Sequence, residues 1–173
     1  MEVSAAIRTK RAVREFAPTP LPVEVVSRIL NAGRRAQSSK NTQPWQFIAI
    51  QDRPTLEHLA KLGTYAGHLA GAALGVALVT PDPDQRWSIL FDAGQAAAYM
   101  QLAAWELGLG SCLATIYQLD AARELLGFPS DMVCHVAISF GYPADPSVLQ
   151  APLRSGGRKV LENIVHLDRW HSA

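Results

Sequence analysis

The sequence contains few of the residues that build metal centres, disulfide frameworks or membrane spans. Its two cysteines, Cys112 and Cys134, lie in separate apolar runs without metal-ligand spacing, so both are predicted to be buried small side chains. The five histidines are scattered, and no metal site is predicted. No run approaches the roughly 20 apolar residues of a membrane span, and the first residues lack the apolar core of a signal peptide. These absences predict a soluble, cytoplasmic protein.

Several common functional motifs and any strong excess of charge are also missing. The sequence has no GxGxxG, GxxxxGK[ST], HExxH or GxSxG pattern, so the usual dinucleotide, nucleoside triphosphate, zinc-protease and serine-hydrolase sites have no support. Lysine and arginine number 16 against 15 acidic residues, a formal net charge of +1, so no nucleic-acid partner is expected. With 173 residues and 49% hydrophobic content, the chain is predicted to form a single domain over residues 1–173.

Helix and strand patterns alternate along the chain. Helical spacing or alanine content predicts helices over residues 2–9, around 26–33, and over 52–63, 87–107 and 120–126. Apolar runs rich in β-forming residues predict strands over residues 45–50, 73–80, 111–117 and 133–140. This alternation predicts an α/β or α+β sandwich in which a sheet lies between helices.

The longest predicted helix, over residues 87–107, is apolar on most sides. It carries small residues that would let another backbone approach closely, namely Ala93, Gly94, Ala97, Ala98 and Ala104. A helix that is apolar all round is buried, but the pattern does not say against what. A central core helix in a monomer and a helix shared with a second subunit are both consistent with the sequence.

Two further features are candidates for binding. The polar loop Ser38–Trp45 leads directly into a predicted core strand, and its hydroxyl and carboxamide groups match the polar edge of a heterocycle, although such residues also dominate ordinary turns. Basic residues form three clusters, each of which is either a solvated surface feature or part of a phosphate site. They are Arg8, Lys10, Arg11 and Arg14; Arg34 and Arg35; and Arg154, Arg158 and Lys159.

Along nearly its whole length the sequence resembles the nitroreductase family of FMN-dependent oxidoreductases. Four segments carry the resemblance in order: Ile7–Phe16, Ser38–Trp45 with its SSxNxQPW pattern, Gly108–Cys112 with its GLGS turn, and Arg158–Glu162. Each segment alone is weak, but the SSxNxQPW loop is fairly specific and the order of all four is a strong signal. The resemblance implies an α+β fold, an α/β/α sandwich with a mixed central sheet flanked by helices.

The resemblance also implies where the cofactor FMN is held. Basic side chains from both ends of the chain would grip its phosphate and ribityl chain: Lys10, Arg11, Arg14, Arg158 and Lys159. Asn41 would face the flavin ring, and Ser39, Gln43 and Pro44 would shape the pocket. A backbone N–H of the stretch 113–116, which contains Ala114 and Thr115, would point at the reactive N5 atom of the flavin.

The sequence departs from the family pattern at several of these positions. Ala12 stands where the family often has a serine, which removes one possible phosphate ligand, although its backbone remains part of the predicted site. Thr115 and Ile116 replace a usual glycine pair, and Gly156 replaces a frequent basic residue. The chain is short for the family, and the segment between Lys61 and Trp87 leaves little room for the helices that often cover the substrate.

The implied function is hydride transfer from NAD(P)H through flavin N5 to a small acceptor such as a nitroaromatic or a quinone. The kinetics would be ping-pong, and no side chain is needed as a nucleophile. The implied assembly is a homodimer that shares the long helix, with a C-terminal tail over residues 146–173 packing on the partner. Two alternatives remain open, a different oxidation on the same fold and a flavin- or anion-binding dimer without turnover.

Overall fold

A computed structural model describes residues 1–152 and 157–170 of the chain. The helices are α1 (Val3–Thr9), α2 (Val23–Arg34), α3 (Arg53–Leu59), α4 (Ser88–Glu106) and α5 (Leu119–Leu126). The strands are β1 (Gln46–Ile50), β2 (Leu74–Pro81), β3 (Gly110–Thr115) and β4 (Met132–Gly141). Every helix and strand predicted from the sequence is present, and the bounds differ mainly at the ends of α3 and β3.

The four strands form one sheet in the order β1-β2-β4-β3, and each neighbouring pair is antiparallel. The mixed sheet expected from the resemblance is therefore not seen among these strands. The parallel pairing found in the described residues is an isolated bridge between Ala12 and Ser111, where the N-terminal segment meets β3. Strand β2 is buried on both faces except at its last residue, which explains why its sequence is a continuous apolar run.

Helices cover both faces of the sheet and create two apolar cores. On one face, Ile29 of α2 and Met100 of α4 pack with Val76 and Leu78 of β2. On the other face, the core contains side chains of α3, α5 and the intervening strands, namely Leu56, Leu59, Ala77, Val79, Ala122 and Ala137. Alternate residues of β2 point into opposite cores, as strand geometry requires. The predicted α/β/α sandwich is confirmed.

Helix α4 is central to one core but is only partly covered by its own chain. Its small residues allow close packing against α2, and Gly33 of α2 lies directly against the Met100 side chain. The helix ends at a glycine, Gly108, whose φ of 75° is in the left-handed region that glycine adopts easily. Leu90 and Phe91 nevertheless remain exposed near its start. The chain thus buries one side of α4 and leaves an apolar surface on another.

Replacing Ile29 by alanine tests the α2 contribution to this core. Ile29 is fully buried, so Ile29→Ala should lower the free energy of unfolding by about 2–5 kcal/mol through lost transfer energy and a residual cavity. Val23→Ala on the same helix is the matched control, because Val23 is 69% exposed and its truncation should change stability by about 0.5 kcal/mol or less. Both variants are compared by urea unfolding. Similar losses of unfolding free energy in the two would contradict the packing of Ile29 in this core.

Candidate functional site

The segment that follows α1 is fastened to the end of the sheet by backbone hydrogen bonds. Val13 N–H donates to Ser111 O at 3.0 Å, and Ala17 N–H donates to Tyr142 O at 2.8 Å. The approach is close because Gly110 has no side chain: a Cβ at that position would lie 2.5 Å from Cβ of Val13. These contacts hold residues 12–17 along the ends of β3 and β4, so the basic side chains of this segment have a defined location.

The two ends of the chain converge at this location. The Arg11 guanidinium donates to Ala151 O at 2.6 Å. Lys10 lies close enough to Arg158 for their like charges to interact, and burial together with that repulsion lowers the pKa of Lys10, while the nearby Cys112 thiol opposes the shift. The structure thus brings together the predicted residues Lys10, Arg11 and Arg158, while Gly156 and Arg154 lie outside the described residues.

This group of cations has no acidic counterpart within the described part of the chain. Lys10, Arg11, Arg14 and Arg158 take part in none of its ion pairs. Arg14, Arg158 and Lys159 are exposed, and the Arg14 charge is felt by both Cys112 and His68. A half-buried lysine surrounded by unpaired arginines favours an anionic ligand, because a nearby negative charge would stabilise all of their charged forms together. The residues present therefore fit a phosphate group.

In the predicted stretch 113–116 at the end of β3, the backbone N–H groups of neighbouring residues point to opposite edges of the strand. Ile116 N–H donates to His135 O of β4 at 2.9 Å, and Val13 reaches Ser111 O from the opposite side. Because the direction of backbone groups alternates along an antiparallel strand, the N–H of Thr115 faces the outer edge of β3 and that of Ala114 faces β4. The Ala114 side chain is buried and that of Thr115 is exposed.

The loop before β1 has an unusual backbone. Lys40, Asn41 and Gln43 have positive φ values of 52°, 54° and 47°, which are costly for residues other than glycine, least so for asparagine. Gln43 N–H donates to the Ser38 hydroxyl at 2.9 Å, which closes the loop on itself. Pro44 is buried, whereas Asn41 and Gln43 are exposed and Ser39 is partly so. The predicted ring-facing side chains are therefore held on the surface by a strained turn.

The two parts of the predicted site lie at opposite ends of α4. The loop is bonded to the start of that helix, where Ser39 N–H donates to Asp92 Oδ1 at 3.0 Å. The basic segment adjoins its end, where the Trp105 indole N–H donates to the Thr9 hydroxyl at 2.9 Å. Thirteen residues of helix separate Asp92 from Trp105, roughly 20 Å at 1.5 Å per residue. Within one chain, the loop and the basic segment are therefore anchored at well-separated points of α4.

An apolar groove of about 220 Å³ lies beside the exposed part of α4. It is lined by Leu90, Gly94 and Ala97 of the helix and by Leu113 and Val136 of the neighbouring strands. A separate, more open cleft of about 480 Å³ lies between α2 and β1, with Arg34 and Gln43 in its wall. Neither the groove nor the cleft is lined by Lys10, Arg11, Arg14 or Arg158, so these basic residues form a surface site in a single chain.

Two buried polar features near the site carry no sequence motif. The first is Asp92, which is 4% exposed and anchors the loop. The second is His68, whose Nδ1 lies 2.7 Å from the Ser139 hydroxyl. The Ser139 hydroxyl also lies 3.3 Å from Cys112 O, an acceptor within its reach. Asp92 and the last residue, Glu106, are the charged residues of α4, and a charge inside this largely apolar helix was the one available sequence signal for Asp92.

Both cysteines are buried and unpaired, as the sequence predicts. Burial raises the pKa of the Cys134 thiol to about 12, so this thiol is inert at neutral pH. Burial also raises the pKa of Cys112, against the opposing charges of Arg14 and Lys10.

In residues 1–152 and 157–170 no group of His, Cys, Asp and Glu side chains could hold a metal ion. None of the helices in those ranges is long and apolar enough to cross a membrane.

The buried His68 should make stability depend on pH. Burial lowers the pKa of His68 below its usual value, with the Arg14 charge adding to the effect and the Leu113 backbone opposing it. The unfolded chain therefore binds a proton more readily, so stability should fall as the pH drops below the unfolded pKa of about 6.5. His68→Gln should lose less stability than the wild type between pH 7 and pH 5.5 in urea unfolding without added ligand. Equal losses would show that His68 titrates normally.

Comparison with known proteins places these features in a family. The Nitroreductase family profile matches residues 7–69 and 60–142. A protein of Archaeoglobus fulgidus named "Putative NADH dehydrogenase/NAD(P)H nitroreductase" is 32% identical over 95% of this chain and 96% of its own length. A 4-nitrobenzoate reductase of Nocardioides sp. is 25% identical over 80% of this chain and 79% of its own.

Solved structures agree with the sequence comparison. An FMN-dependent nitroreductase of Clostridium difficile R20291 superposes with a TM-score of 0.84 and 27% identity, covering 97% of this chain and 100% of its own. This likeness spans the whole sandwich, including the helices on both faces of the sheet. The chain belongs to the nitroreductase family and is an oxidoreductase of that family.

Proposed function

We propose that the protein is an FMN-dependent oxidoreductase that takes a hydride from NAD(P)H and passes electrons to a small organic acceptor. The observation that carries the proposal is the convergence of unpaired cations from both chain ends beside the outer edge of β3. The positive charges at that point would bind the phosphate of FMN. A backbone N–H that faces outward lies further along the same edge of β3. The FMN-dependent structural relative has the same fold over the full chain.

The phosphate and ribityl chain of FMN would lie among the side chains of Lys10, Arg11, Arg14, Arg158 and Lys159. Arginine suits this role because its planar fork donates two parallel hydrogen bonds to phosphate oxygens. Ala12 would contribute its backbone alone, since it has no hydroxyl and the bond to Ser111 O is donated by the next residue, Val13. The phosphate is thus held by charge and backbone rather than by a side-chain hydroxyl at position 12.

The flavin ring would extend from the phosphate along the edge of β3 towards Ala114 and Thr115. Thr115 carries the N–H that faces outward, so this residue rather than Ala114 would donate to N5. Gly63 is packed against the Thr115 carbonyl, where a larger residue would collide with backbone. A positioned N–H of this kind favours the reduced ring, on which negative charge develops. When bound, FMN supplies the hydride chemistry, and the chain's own residues orient it.

We further propose that the functional unit is a homodimer in which each site takes its ring-facing loop from the second chain. The loop of each chain is anchored roughly 20 Å along α4 from that chain's own basic group, which supports a second copy as the source of Ser39, Asn41, Gln43 and Pro44. The exposed apolar surface of α4 and its groove give this partner a place to pack. The tail over residues 146–173 meets its own basic segment at Ala151 and Arg158. Its exposed apolar side chains, Val160, Leu161 and Ile164, would pack on the partner.

NAD(P)H and the electron acceptor would bind in turn to the same face of the flavin ring. Such alternate binding gives ping-pong kinetics. A nitroaromatic or a quinone is the proposed acceptor, and a relative that matches this chain over 79% of its own length is named a 4-nitrobenzoate reductase. The two buried, unpaired cysteines suit a reducing, cytoplasmic location.

One absorption experiment tests the proposed activity. Purified protein should be yellow or become yellow with added FMN, bleach with NADH or NADPH, and regain colour when a nitroaromatic or quinone is added. Initial rates at several donor and acceptor concentrations should give parallel double-reciprocal lines. Protein that cannot be loaded with FMN would overturn the proposal, and loaded protein that NAD(P)H never bleaches would indicate a flavin-binding dimer without this turnover.

The phosphate site is tested by removing one of its charges. Lys10→Ala should weaken FMN binding about 10- to 100-fold, because a charged hydrogen bond to the phosphate is lost. Riboflavin, which lacks the phosphate, should bind both proteins equally. Arg123→Ala removes the same charge on α5, where Arg123 pairs with Asp120, and should leave FMN affinity unchanged. Equal weakening for FMN and riboflavin would place Lys10 away from the phosphate.

A complementation experiment tests whether the site is shared. Lys10→Ala and Asn41→Ala homodimers would each carry a defect in both sites, but a heterodimer of the two variants would combine both defects in one site and leave the other intact. Differently tagged chains allow that heterodimer to be isolated and its FMN content measured. Recovery of high-affinity binding in one site per dimer is the expected result. No recovery would mean that Lys10 and Asn41 act from the same chain.

A further inference from the structure

The loop that presents Asn41 adopts a conformation that its own sequence does not favour. Three of its non-glycine residues, Lys40, Asn41 and Gln43, have left-handed backbone conformations within a span of four positions. Each such residue is sterically disfavoured, so this turn persists only where its surroundings hold it. The exposed side chains of Asn41 and Gln43 contribute no packing that could do so. Bonds within the loop, such as Gln43 N–H to the Ser38 hydroxyl, close the turn, and the contacts that fix it to the rest of the fold come from beneath it.

Helix α4 and the residues just before it supply those contacts at two points. Asp92 accepts from Ser39 N–H at 3.0 Å, which fixes the first residue of the turn. The Arg86 guanidinium, just before the helix, donates to the Thr42 hydroxyl at 2.9 Å, which fixes the far side. Asp92 is the more deeply placed of the two, with 4% exposure, whereas Arg86 is only partly buried. The loop and the helix are 53 residues apart in sequence, so this link exists only in the folded chain.

The environment of Asp92 is costly for a carboxylate. Its Oδ2 atom is buried and has no hydrogen-bond partner within the described residues. The three ion pairs found there do not include Asp92 either. A buried polar atom without a partner destabilises a fold, and a buried charge does so more strongly. Asp92 is therefore poorly explained as a stabilising residue of α4, where alanine would pack without that cost.

We propose that Asp92 is a positioning residue for the flavin-facing loop. It would act through the backbone N–H of Ser39 and hold residues 39–43 in the strained turn that directs Asn41 towards the partner's cofactor. This inference rests on the proposed function, because it assigns Asp92 a role in the same site. The buried carboxylate lowers the stability of the fold. In return the loop is preorganised, so less conformational entropy is lost when the cofactor binds.

Variants of the acceptor residue, Asp92, and of the donor residue, Ser39, test this role. Asp92→Leu removes the acceptor and keeps the branched shape of the side chain, whereas Asp92→Asn retains an acceptor oxygen and should rescue the loop. On the other side, Ser39→Pro removes the N–H and suits the first position of a helical turn, whereas Ser39→Ala keeps it. Met100→Leu is a volume-conserving change elsewhere on α4 and controls for general effects on that helix.

Two measurements follow each variant. Amide hydrogen exchange over residues 38–43, without FMN, should accelerate at least tenfold in Asp92→Leu and stay near the wild-type rate in Asp92→Asn and Met100→Leu. FMN affinity should fall about tenfold in Asp92→Leu and recover in Asp92→Asn, a loss typical of one hydrogen bond to a charged group. In a Ser39→Pro background, Asp92→Leu should have little further effect, because the bond is already absent.

The outcomes separate this inference from the proposed function. Unchanged loop exchange in Asp92→Leu would overturn the positioning role, whether or not the protein binds FMN. Accelerated exchange with unchanged FMN affinity would overturn its link to the cofactor. A wild-type protein that binds no FMN would overturn the proposed function, while the exchange data would still decide whether Asp92 holds the loop. If Asp92→Leu does not fold, Ser39→Pro against Ser39→Ala decides the same question from the donor side.

Discussion

The arrangement of the site depends on the backbone pairing of the N-terminal segment with the ends of β3 and β4. Val13 donates to Ser111, and the absence of a side chain at Gly110 lets the two backbones meet. Without this pairing, the basic residues after α1 would sit on a free terminal segment. With it, Lys10 becomes half-buried beside Arg158, and several positive charges share a small region that an anion would stabilise.

Helix α4 is the second organising element, because its length separates the two parts of the predicted site. The basic group adjoins its C-terminal end and the strained loop adjoins its N-terminal end, roughly 20 Å apart. The same helix leaves apolar side chains exposed between them. A single feature, an alanine-rich helix that its own chain covers incompletely, therefore accounts for the separation of the two parts and supports the proposed second copy.

Much of the fold was predictable from local patterns. Periodicity, proline and glycine punctuation and β-forming runs located α1 to α5 and β1 to β4, since helices and strands are determined largely by neighbouring residues. The antiparallel order of the sheet was not predictable in the same way, because it depends on which strands meet in three dimensions. Asp92 and His68 escaped notice for a related reason: their partners Ser39 and Ser139 lie 53 and 71 residues away.

The sequence by itself determined the family, the alternation of helices and strands, the identity of the basic residues at both chain ends, and the polar loop before β1. These properties reside in residue types and short spacings. Tertiary structure decided that the charges of Lys10 and Arg158 interact, that Thr115 rather than Ala114 turns its N–H outward, and that the loop and the basic segment are anchored near opposite ends of α4. The physical reason is that such relations depend on strand alternation, helix length and chain convergence, which arise only when distant segments pack together.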